Sequence, residues 1–402
     1  MSTPLITVAE ARERVLGSLS PLPSETVAVA DALDRVLAAE VRAAGNVPPF
    51  PCSAMDGYAV LAGPAGRTLM IVGESRAGTP AGVAVSDGQA IRISTGAAIP
   101  EGATAVIPQE NVETLPDNSI RTAADTTAGD HVRGAGEDMR DQATILSAGT
   151  PLNPFALAAA VSAGVAEVTV ARRPRAAVLC TGDELRAPGQ PLGPGQIHNS
   201  NGPMLSGMAA HAGAVVRPMQ QLADDRAATE HGIAAALAEC DVVLISGGVS
   251  VGPHDHVKPA LSALGVEEVF WSVSLQPGKP TWFGTASGGR LVFGLPGNPV
   301  SSAVTFSLFV APAFAALQGA PAPRPPQRTA VLATEVRRNP RREQAVRVRL
   351  HETDGATLAH PTGPQGSHIL TSLLAADALA MIPAGDGRLE AGAMVQLNAL
   401  AA

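Results

Sequence analysis

The chain has 402 residues, enough for about two to four domains, and 46% of them are hydrophobic while only 3% are aromatic, so the cores must be aliphatic and alanine-rich. A formal net charge of -8, with no basic stripe interleaved with aromatics, argues against a nucleic-acid partner and repels anionic substrates unless local cations or a metal intervene. The odd set Cys52, Cys180 and Cys240 lacks metal-ligand spacing, and there is neither a basic leader nor a run of about 18 apolar residues; a soluble cytoplasmic protein with reduced, buried thiols is expected, without a membrane partner.

In chain order, Thr7 and Glu10 stand in capping-box spacing, and Val8, Ala11, Val15 and Leu16 fall on one face, which predicts an amphipathic helix over 7–18. A second helix is expected around 28–41. From about 46 to 140 short β-prone runs such as Thr68–Val72 and Ala103–Ile107 are broken by Asp87-Gly88, Glu101-Gly102 and Pro116–Asn118 turns, which reads as a β-rich insertion. Asn153 and Pro154 then make an N-cap and first-turn pair for a helix ending near Gly164. The first helical unit is thus completed from both sides of the insertion. Its apolar face, with Val8, Ala11 and Val15, is too large for so small a unit to hide, which predicts a two-fold dimer through this region, with the insertion of one subunit near the α/β site of the other.

From about 174 the apolar runs Ala176–Cys180, Ala214–Val216, Val242–Ile245 and Leu291–Leu295 each lead into a polar or Gly/Pro loop and a helical stretch. That alternation predicts a doubly wound α/β domain with a parallel sheet, whose ligands bind outside the carboxyl ends of the strands. Pro321–Pro326 is a stiff linker, and the remaining β-like runs suggest a small C-terminal β-barrel or sandwich. The expected domains are 1–45 with 141–173 (helical linker and dimerisation), 46–140 (β-rich insertion), 174–322 (α/β) and 323–402 (barrel).

The chemistry concentrates at those strand ends. Ser246, Gly247, Gly248 and Ser250 form a Gly-rich loop whose free N–H groups and hydroxyls can cradle an anion. Asp255 and Lys258 follow at i,i+3, where a carboxylate and an ammonium can share a metal-phosphate ligand. Gln276-Pro277-Gly278-Lys279-Pro280 holds a lysine between two prolines, and Leu295-Pro296-Gly297-Asn298-Pro299 leads from a strand into a helix. Lys258 and Lys279 are the only lysines among 28 basic residues, so both fall in loops of this class. A compact ammonium suits an oxyanion approached as a point charge. The acidic pairs Asp183-Glu184 and Asp224-Asp225 are candidates for Mg²⁺ as well as for helix caps, with Asp224 the expected cap. In the insertion, Ser53–Val60 carries Asp56 and the single tyrosine, and Arg133–Asp138 sets a cation beside two acids; as loop residues these read equally well as solvated turns. There is no nucleophile–base triad and no Walker loop.

Taken in order, Ser53–Val60, Thr181–Leu185, Ser246–Gly252, Pro277–Pro280, Leu295–Ser301 and Gly366–His368 closely resemble the MoeA family of molybdopterin molybdenumtransferases, which includes the E domain of gephyrin. The resemblance implies an elongated four-domain homodimer that inserts molybdate into adenylylated molybdopterin with release of AMP, dependent on a divalent cation such as Mg²⁺. It also implies molybdopterin adenylyltransferase and apo-molybdoenzymes as partners. Carried over position by position, it assigns Asp56, Asp138, Asp255 and Lys279 to catalysis, beside Lys258 as read from its own loop, and Glu184 and Asp225 to the metal. Substrate binding falls to Thr95, Arg133, Ser246, Gly247, Gly248, Ser250, Pro296, Gly297, Asn298, Pro299 and Ser367. The sequence departs from the family pattern at Pro51-Cys52, where Asp-Asn is common, at Gln276, where a lysine is common, and at Asn199, where an aspartate is common. A molybdopterin carrier or scaffold and a molybdopterin adenylyltransferase are the alternatives, and molybdate-dependent AMP release separates them from the leading reading.

Overall fold

The computed structural model describes residues 5–248, 256–320, 328–353 and 355–400. The first helix, Val8–Gly17, opens as the sequence predicts: Thr7 Oγ1 accepts the Glu10 N–H at 3.1 Å while the Glu10 carboxylate accepts the Thr7 N–H at 2.8 Å. The centre of its apolar face is covered within the chain, while Val8 and Leu16 at its edges are half-buried. Ala11 and Val15 are fully buried within one chain, in a core they share with Phe309 and Phe314, so this helix packs on the helical segment 306–317 of the α/β domain. The argument for a dimer from these two residues therefore falls. Just before it, Ile6 bridges to Val273, and the Ser274 N–H donates to the Ile6 carbonyl at 2.7 Å.

No second helix forms over 28–41. A 3₁₀ turn at Val29–Asp31 is followed by Asp34 in the left-handed region (φ 60°) and a short strand, Val41–Arg42. Tertiary pairing overrides helix propensity here, because the N–H groups of Leu37 and Ala38 donate to the carbonyls of Thr150 and Thr169. Leu37, Leu152, Ala160 and Val170 then form the core of the unit. Asn153 caps the helix Pro154–Ser162 through its side chain, with Pro154 in the first turn as expected. Ser24–Ala28 pairs antiparallel with Glu167–Ala171, closing the unit around the insertion from both sides. The insertion itself is a six-stranded sheet in the order Ala105–Pro108, Gly57–Val60, Gln89–Ile93, Thr68–Ser75, Ser119–Thr122, Val112–Leu115.

The α/β sheet is mixed rather than wholly parallel. Val215–Val216, Arg175–Thr181, Val242–Ser246 and Arg290–Leu295 run parallel, and Trp282–Ala286 and Glu267–Trp271 continue the sheet antiparallel. The cause is local: only Ser287, Gly288 and Gly289 separate Ala286 from Arg290, and so short a connection can join only antiparallel neighbours. Strand side chains alternate cleanly between two cores. Ala176, Val178, Val242, Leu244, Leu291 and Phe293 face one, under the helices Asn201–His211 and Pro299–Leu317; Ala177, Leu179, Val243, Ile245 and Val292 face the other, under Arg226–Glu239 and Val257–Ala263. Both faces are buried, which is why these strands read as continuous apolar runs. Pro299–Leu317 is long and apolar enough to cross a membrane by length and composition, but 78% of it is buried in this fold, as a core helix. It passes through a π-helical segment, Phe306–Val310, ahead of Pro312, which has no N–H to give to a normal helical ladder.

The C-terminal unit is a closed five-stranded barrel, resolving the choice between barrel and sandwich. Glu343–Thr353, Ala356–Pro361, Thr329–Leu332, Met394–Ala399 and Ala378–Ile382 follow one another, and the first pairs again with the last. Leu275–Gln276 of the α/β region adds to it alongside Glu343-Gln344.

One ion pair joins the linker unit to the sheet. Arg172 donates two bonds to Asp241, at 2.8 and 3.0 Å, and Asp241 Oδ2 also accepts the Arg175 N–H at 2.7 Å. Burial pushes the Asp241 carboxyl up, but the guanidinium fork and the N–H outweigh it and hold it below the ordinary aspartate range. A depressed carboxyl stabilises the fold above its unfolded value and loses that contribution as pH falls through the folded value. Asp241→Asn should therefore cost about 2 kcal/mol at neutral pH and flatten the acid limb of the stability profile. Urea melts between neutral pH and pH ~3 check this; parallel profiles for variant and wild type would refute it.

Candidate functional site

Strand register sets the site. Cys180, Ser246 and Leu295 lie side by side, so the loops beginning at Thr181, Gly247 and Pro296 leave the sheet at one height. Thr181 pairs with Leu222, which brings Asp224 and Asp225 to the same edge. Trp271 pairs with Trp282 and Trp282 with Gly294, which delivers the Gln276–Lys279 loop there too. The sequence-predicted loops thus converge, although Ser250 and Asp255 lie outside the described residues.

Gly247 and Gly248 take left-handed conformations, φ 93° and 64°. A Cβ on Gly247 would stand 2.9 Å from the Thr181 carbonyl oxygen, and one on Gly248 would stand 2.6 Å from Val257. The turn therefore has no room for side chains, and its backbone is left to meet a ligand. Thr181, Glu184, Asn201, Ser246, Gly247 and Gly297 are among the residues lining a narrow cleft of about 90 Å³ at this edge. Asn298 starts the next helix, with Pro299 in its first turn, but its exposed side chain makes no capping bond.

Asn201 was not singled out from sequence, and it holds the cleft together. Its Nδ2 donates to Ser246 Oγ at 2.8 Å and to the Gly297 carbonyl at 2.7 Å, while its buried Oδ1 has no partner among the described residues. The available signal was its place in the Asn199-Ser200-Asn201 segment opening a helix. Asn199, the neutral departure, is 3% exposed and accepts the Gly202 N–H at 3.0 Å, so it serves that helix start without burying a charge.

The acids take distinct places. Asp183 and Asp224 clasp each other, each carboxylate accepting the other's backbone N–H, at 3.2 and 3.1 Å. The helix cap is Asp225 rather than Asp224: its Oδ1 accepts the Ala228 N–H at 2.8 Å. Glu184 is exposed beside the cleft. Among the described residues no group of three or more His, Cys, Asp or Glu side chains could hold a metal ion.

Lys279 is exposed on a fixed loop, its carbonyl accepting from the N–H groups of Val273 and Thr281 at 3.0 and 2.9 Å. Lys258 places its ammonium 3.3 Å from the centre of the Trp271 ring, a cation–π contact at the same sheet edge. The barrel reaches the site through the Gly366–His368 loop, where the Ser367 carbonyl accepts the Val300 N–H at 3.2 Å. Arg347 supports that loop and was also missed. Fully buried, it donates to Ser372 Oγ and the Gly366 carbonyl, at 3.1 and 3.2 Å, and burial pushes its guanidinium down to about 10.

The insertion carries a separate group. Asp56 Oδ1 accepts from both the N–H and the hydroxyl of Thr95, at 2.7 and 3.1 Å, which joins two expected site residues. Arg133 and Asp138 line a cleft of about 490 Å³ with Glu137, Cys52, Val47 and Pro48. Among the described residues no hydrogen bond or ion pair links residues 46–140 to residues 174–400, so the sequence-predicted site forms two halves.

Comparison with known proteins covers both halves. Family models match over residues 6–164 (MoeA N-terminal region, domains I and II), 177–316 (probable molybdopterin binding domain) and 329–400 (MoeA C-terminal region, domain IV). The chain is 34% identical over 400 residues to a protein of Haemophilus influenzae named molybdopterin molybdenumtransferase, covering 98% of each. It is 36% identical over 385 residues to the Mycobacterium tuberculosis molybdopterin molybdenumtransferase 2, covering 92% of this chain and 94% of that one. The crystal structure of a molybdopterin biosynthesis MoeA protein from Pyrococcus horikoshii superposes with a TM-score of 0.82 at 29% identity, over 98% of this chain and 100% of that one.

The Asn201 tether yields a test. Asn201→Leu strands Ser246 Oγ and the Gly297 carbonyl, and should lower stability by about 2 kcal/mol, read as a shift of the urea midpoint at constant slope. A shift below about 0.5 kcal/mol would show that the loops hold their places without it.

Proposed function

This chain belongs to the MoeA family, and from that premise we propose that it is a molybdopterin molybdenumtransferase: it binds adenylylated molybdopterin at the α/β cleft, inserts molybdate and releases AMP. The observation that carries this reading is the shared height of the Gly247, Pro296 and Gln276–Lys279 loops, with the barrel's Ser367 bonded to the helix that leaves one of them.

Molybdate and a pyrophosphate are both anions, and a chain of net charge -8 must neutralise them locally. The Gly247 loop and Ser246 meet the phosphates, Lys279 and Lys258 supply positive charge, and Pro296–Pro299 with Ser367 frames the cleft. Ser250 and Asp255 join this group by sequence position. Arg133 adds a cation from the insertion, and Asp56, held by Thr95, orients water with Asp138. The chemistry demands charge stabilisation rather than a protein nucleophile. A bound Mg²⁺ would neutralise pyrophosphate charge, with Glu184 and Asp225 as its protein ligands. Its other ligands would then be substrate oxygens and water, the usual pattern for this ion. The protein acts in the cytoplasm, between the adenylyltransferase that makes its substrate and the apo-molybdoenzymes that take its product.

The two halves of the site meet in a homodimer. The helix Pro154–Ser162 leaves Phe155 84% and Val161 61% exposed, with Leu33 of the same unit 43% exposed, apolar side chains available to a two-fold contact. The insertion of one subunit then completes the α/β cleft of the other. Distinct cores in the linker and insertion regions, and one inside the barrel, support the four-domain division, while the α/β core also takes in Ala11 and Val15 of the first helix and Ala345, Leu379 and Met381 of the barrel.

Three outcomes check this reading. Lys279→Ala should cut molybdate-dependent AMP release by at least about tenfold with an unchanged melting temperature; normal turnover removes Lys279 from the mechanism. Asp56→Asn should retain the nucleotide yet slow its hydrolysis, measured as ligand retention and AMP release on one preparation; loss of binding alone would make Asp56 a structural residue. Phe155→Glu combined with Val161→Glu should convert a dimer to a monomer in light scattering, and a wild-type monomer would overturn the dimer.

A further inference from the structure

The helix Asn201–His211 begins at the α/β cleft and ends at a different cavity, where the linker unit meets the α/β domain. That cavity holds about 520 Å³, within the range of small-molecule sites, and its polar lining residues are Asp34, Arg173, His211 and Gln318. Gln318 follows the helix Ala311–Leu317, is 4% exposed, and ties two helix ends together: its Nε2 donates to the Ala212 carbonyl at 3.1 Å and to the Phe314 carbonyl at 3.0 Å. Both partners can only accept, so the amide nitrogen is fixed on that side and the oxygen is turned away from it. Oε1 accepts no hydrogen bond among the described residues. Gly213 keeps it open: with φ at 91°, a Cβ there would stand 2.9 Å from Oε1. An acceptor buried without a partner is costly, which marks this oxygen as a ligand contact.

Two unpaired charges line the same cavity. Arg173 is half-buried, and among the described residues its guanidinium has neither a carboxylate nor a hydrogen-bond acceptor, whereas Arg172 beside it is paired with Asp241. Asp34 comes from the linker unit on a left-handed turn, φ 60°, fixed where its N–H donates to the Leu152 carbonyl at 2.9 Å. Its exposed carboxylate likewise has no partner among the described residues. Both helices end beside the cavity, and the last carbonyls of a helix carry partial negative charge. The cavity therefore offers one guanidinium to an anion, and a carboxylate, an amide oxygen and helix-end carbonyls to N–H donors.

We propose that this cavity binds a small zwitterion of amino-acid or dipeptide size, its carboxylate on Arg173 and its ammonium received by Asp34 and Gln318 Oε1. A neutral molecule leaves both charges unmatched, and a plain anion meets Asp34 and two helix C-termini with no donor to offer them. Asp34 belongs to the linker unit and Gln318 to the α/β domain, so the bound ligand joins the two units and stabilises the fold by linkage. None of this depends on the transferase reading, which concerns the opposite end of the helix Asn201–His211.

The test is calorimetric titration of the purified full chain with each proteinogenic L-amino acid, and with glycylglycine and alanylalanine as dipeptide probes. At least one probe should bind wild type with a Kd below about 1 mM and raise its melting temperature, and the identity of the binders separates the two sizes. The N-acetyl and carboxamide derivatives of a binder each lack one charge and should bind at least about tenfold more weakly. The same loss is expected for the intact probe with Arg173→Gln and with Asp34→Asn. Both variants should melt as wild type does without ligand, since Arg173 has no partner to lose and asparagine tolerates the left-handed backbone of position 34. Absence of binding by every probe overturns the proposal. Undiminished binding to either variant, or equal binding of the charge-blocked derivatives, overturns it as well, and each of these outcomes leaves the transferase reading intact.

Discussion

The site depends on parallel register. With Cys180, Ser246 and Leu295 fixed side by side, three loops begin at one height, and nothing downstream in the chain can shift one without breaking the ladder. The Asn201 amide fastens two of those loops to each other, and the Gly247 N–H donates to the Leu295 carbonyl at 3.2 Å. A phosphate cradle needs backbone donors held in place before the ligand arrives, and this arrangement supplies them from a sheet buried on both faces.

Around that edge, regions distant in sequence are stitched on by backbone bonds. Ile6 pairs beside the lysine loop, Ser367 binds at the start of the helix after Pro299, and Leu275–Gln276 extends the barrel. The lysine loop thus touches the chain's beginning, its α/β domain and its barrel. A barrel turn meets the same loop through side chains as well, since Asn339 Nδ2 donates to Gln276 Oε1 at 2.6 Å.

Local signals were legible in the sequence. The Thr7–Glu10 box and the Asn153-Pro154 start both depend on side chains a few residues from the groups they satisfy. The four apolar runs marked strands because both sheet faces are covered. The antiparallel hairpin was missed although Gly288-Gly289 left only three residues to connect its strands, and the absent second helix was lost to pairing with Thr150 and Thr169. Asn201 and Arg347 could not be found by spacing: Asn201 acts on partners 45 and 96 residues away, and Arg347 is a fully buried arginine among exposed and half-buried ones. The site loops were legible one by one, and the dimer expected from the sequence already set the insertion, with Asp56 and Arg133, near the α/β site of the other subunit.

The separation of the two halves within one chain makes the central claim testable by mixing. Lys279→Ala disables the α/β half of a site and Asp56→Asn the insertion half, so each homodimer should release little AMP. If insertion and cleft meet across the two-fold, half of the dimers formed by equal mixing and reassembly are mixed, and each has one intact site; about a quarter of wild-type molybdate-dependent AMP release should return. Mixtures that stay as inactive as the separate variants, with dimer exchange verified, would contradict a site shared between subunits.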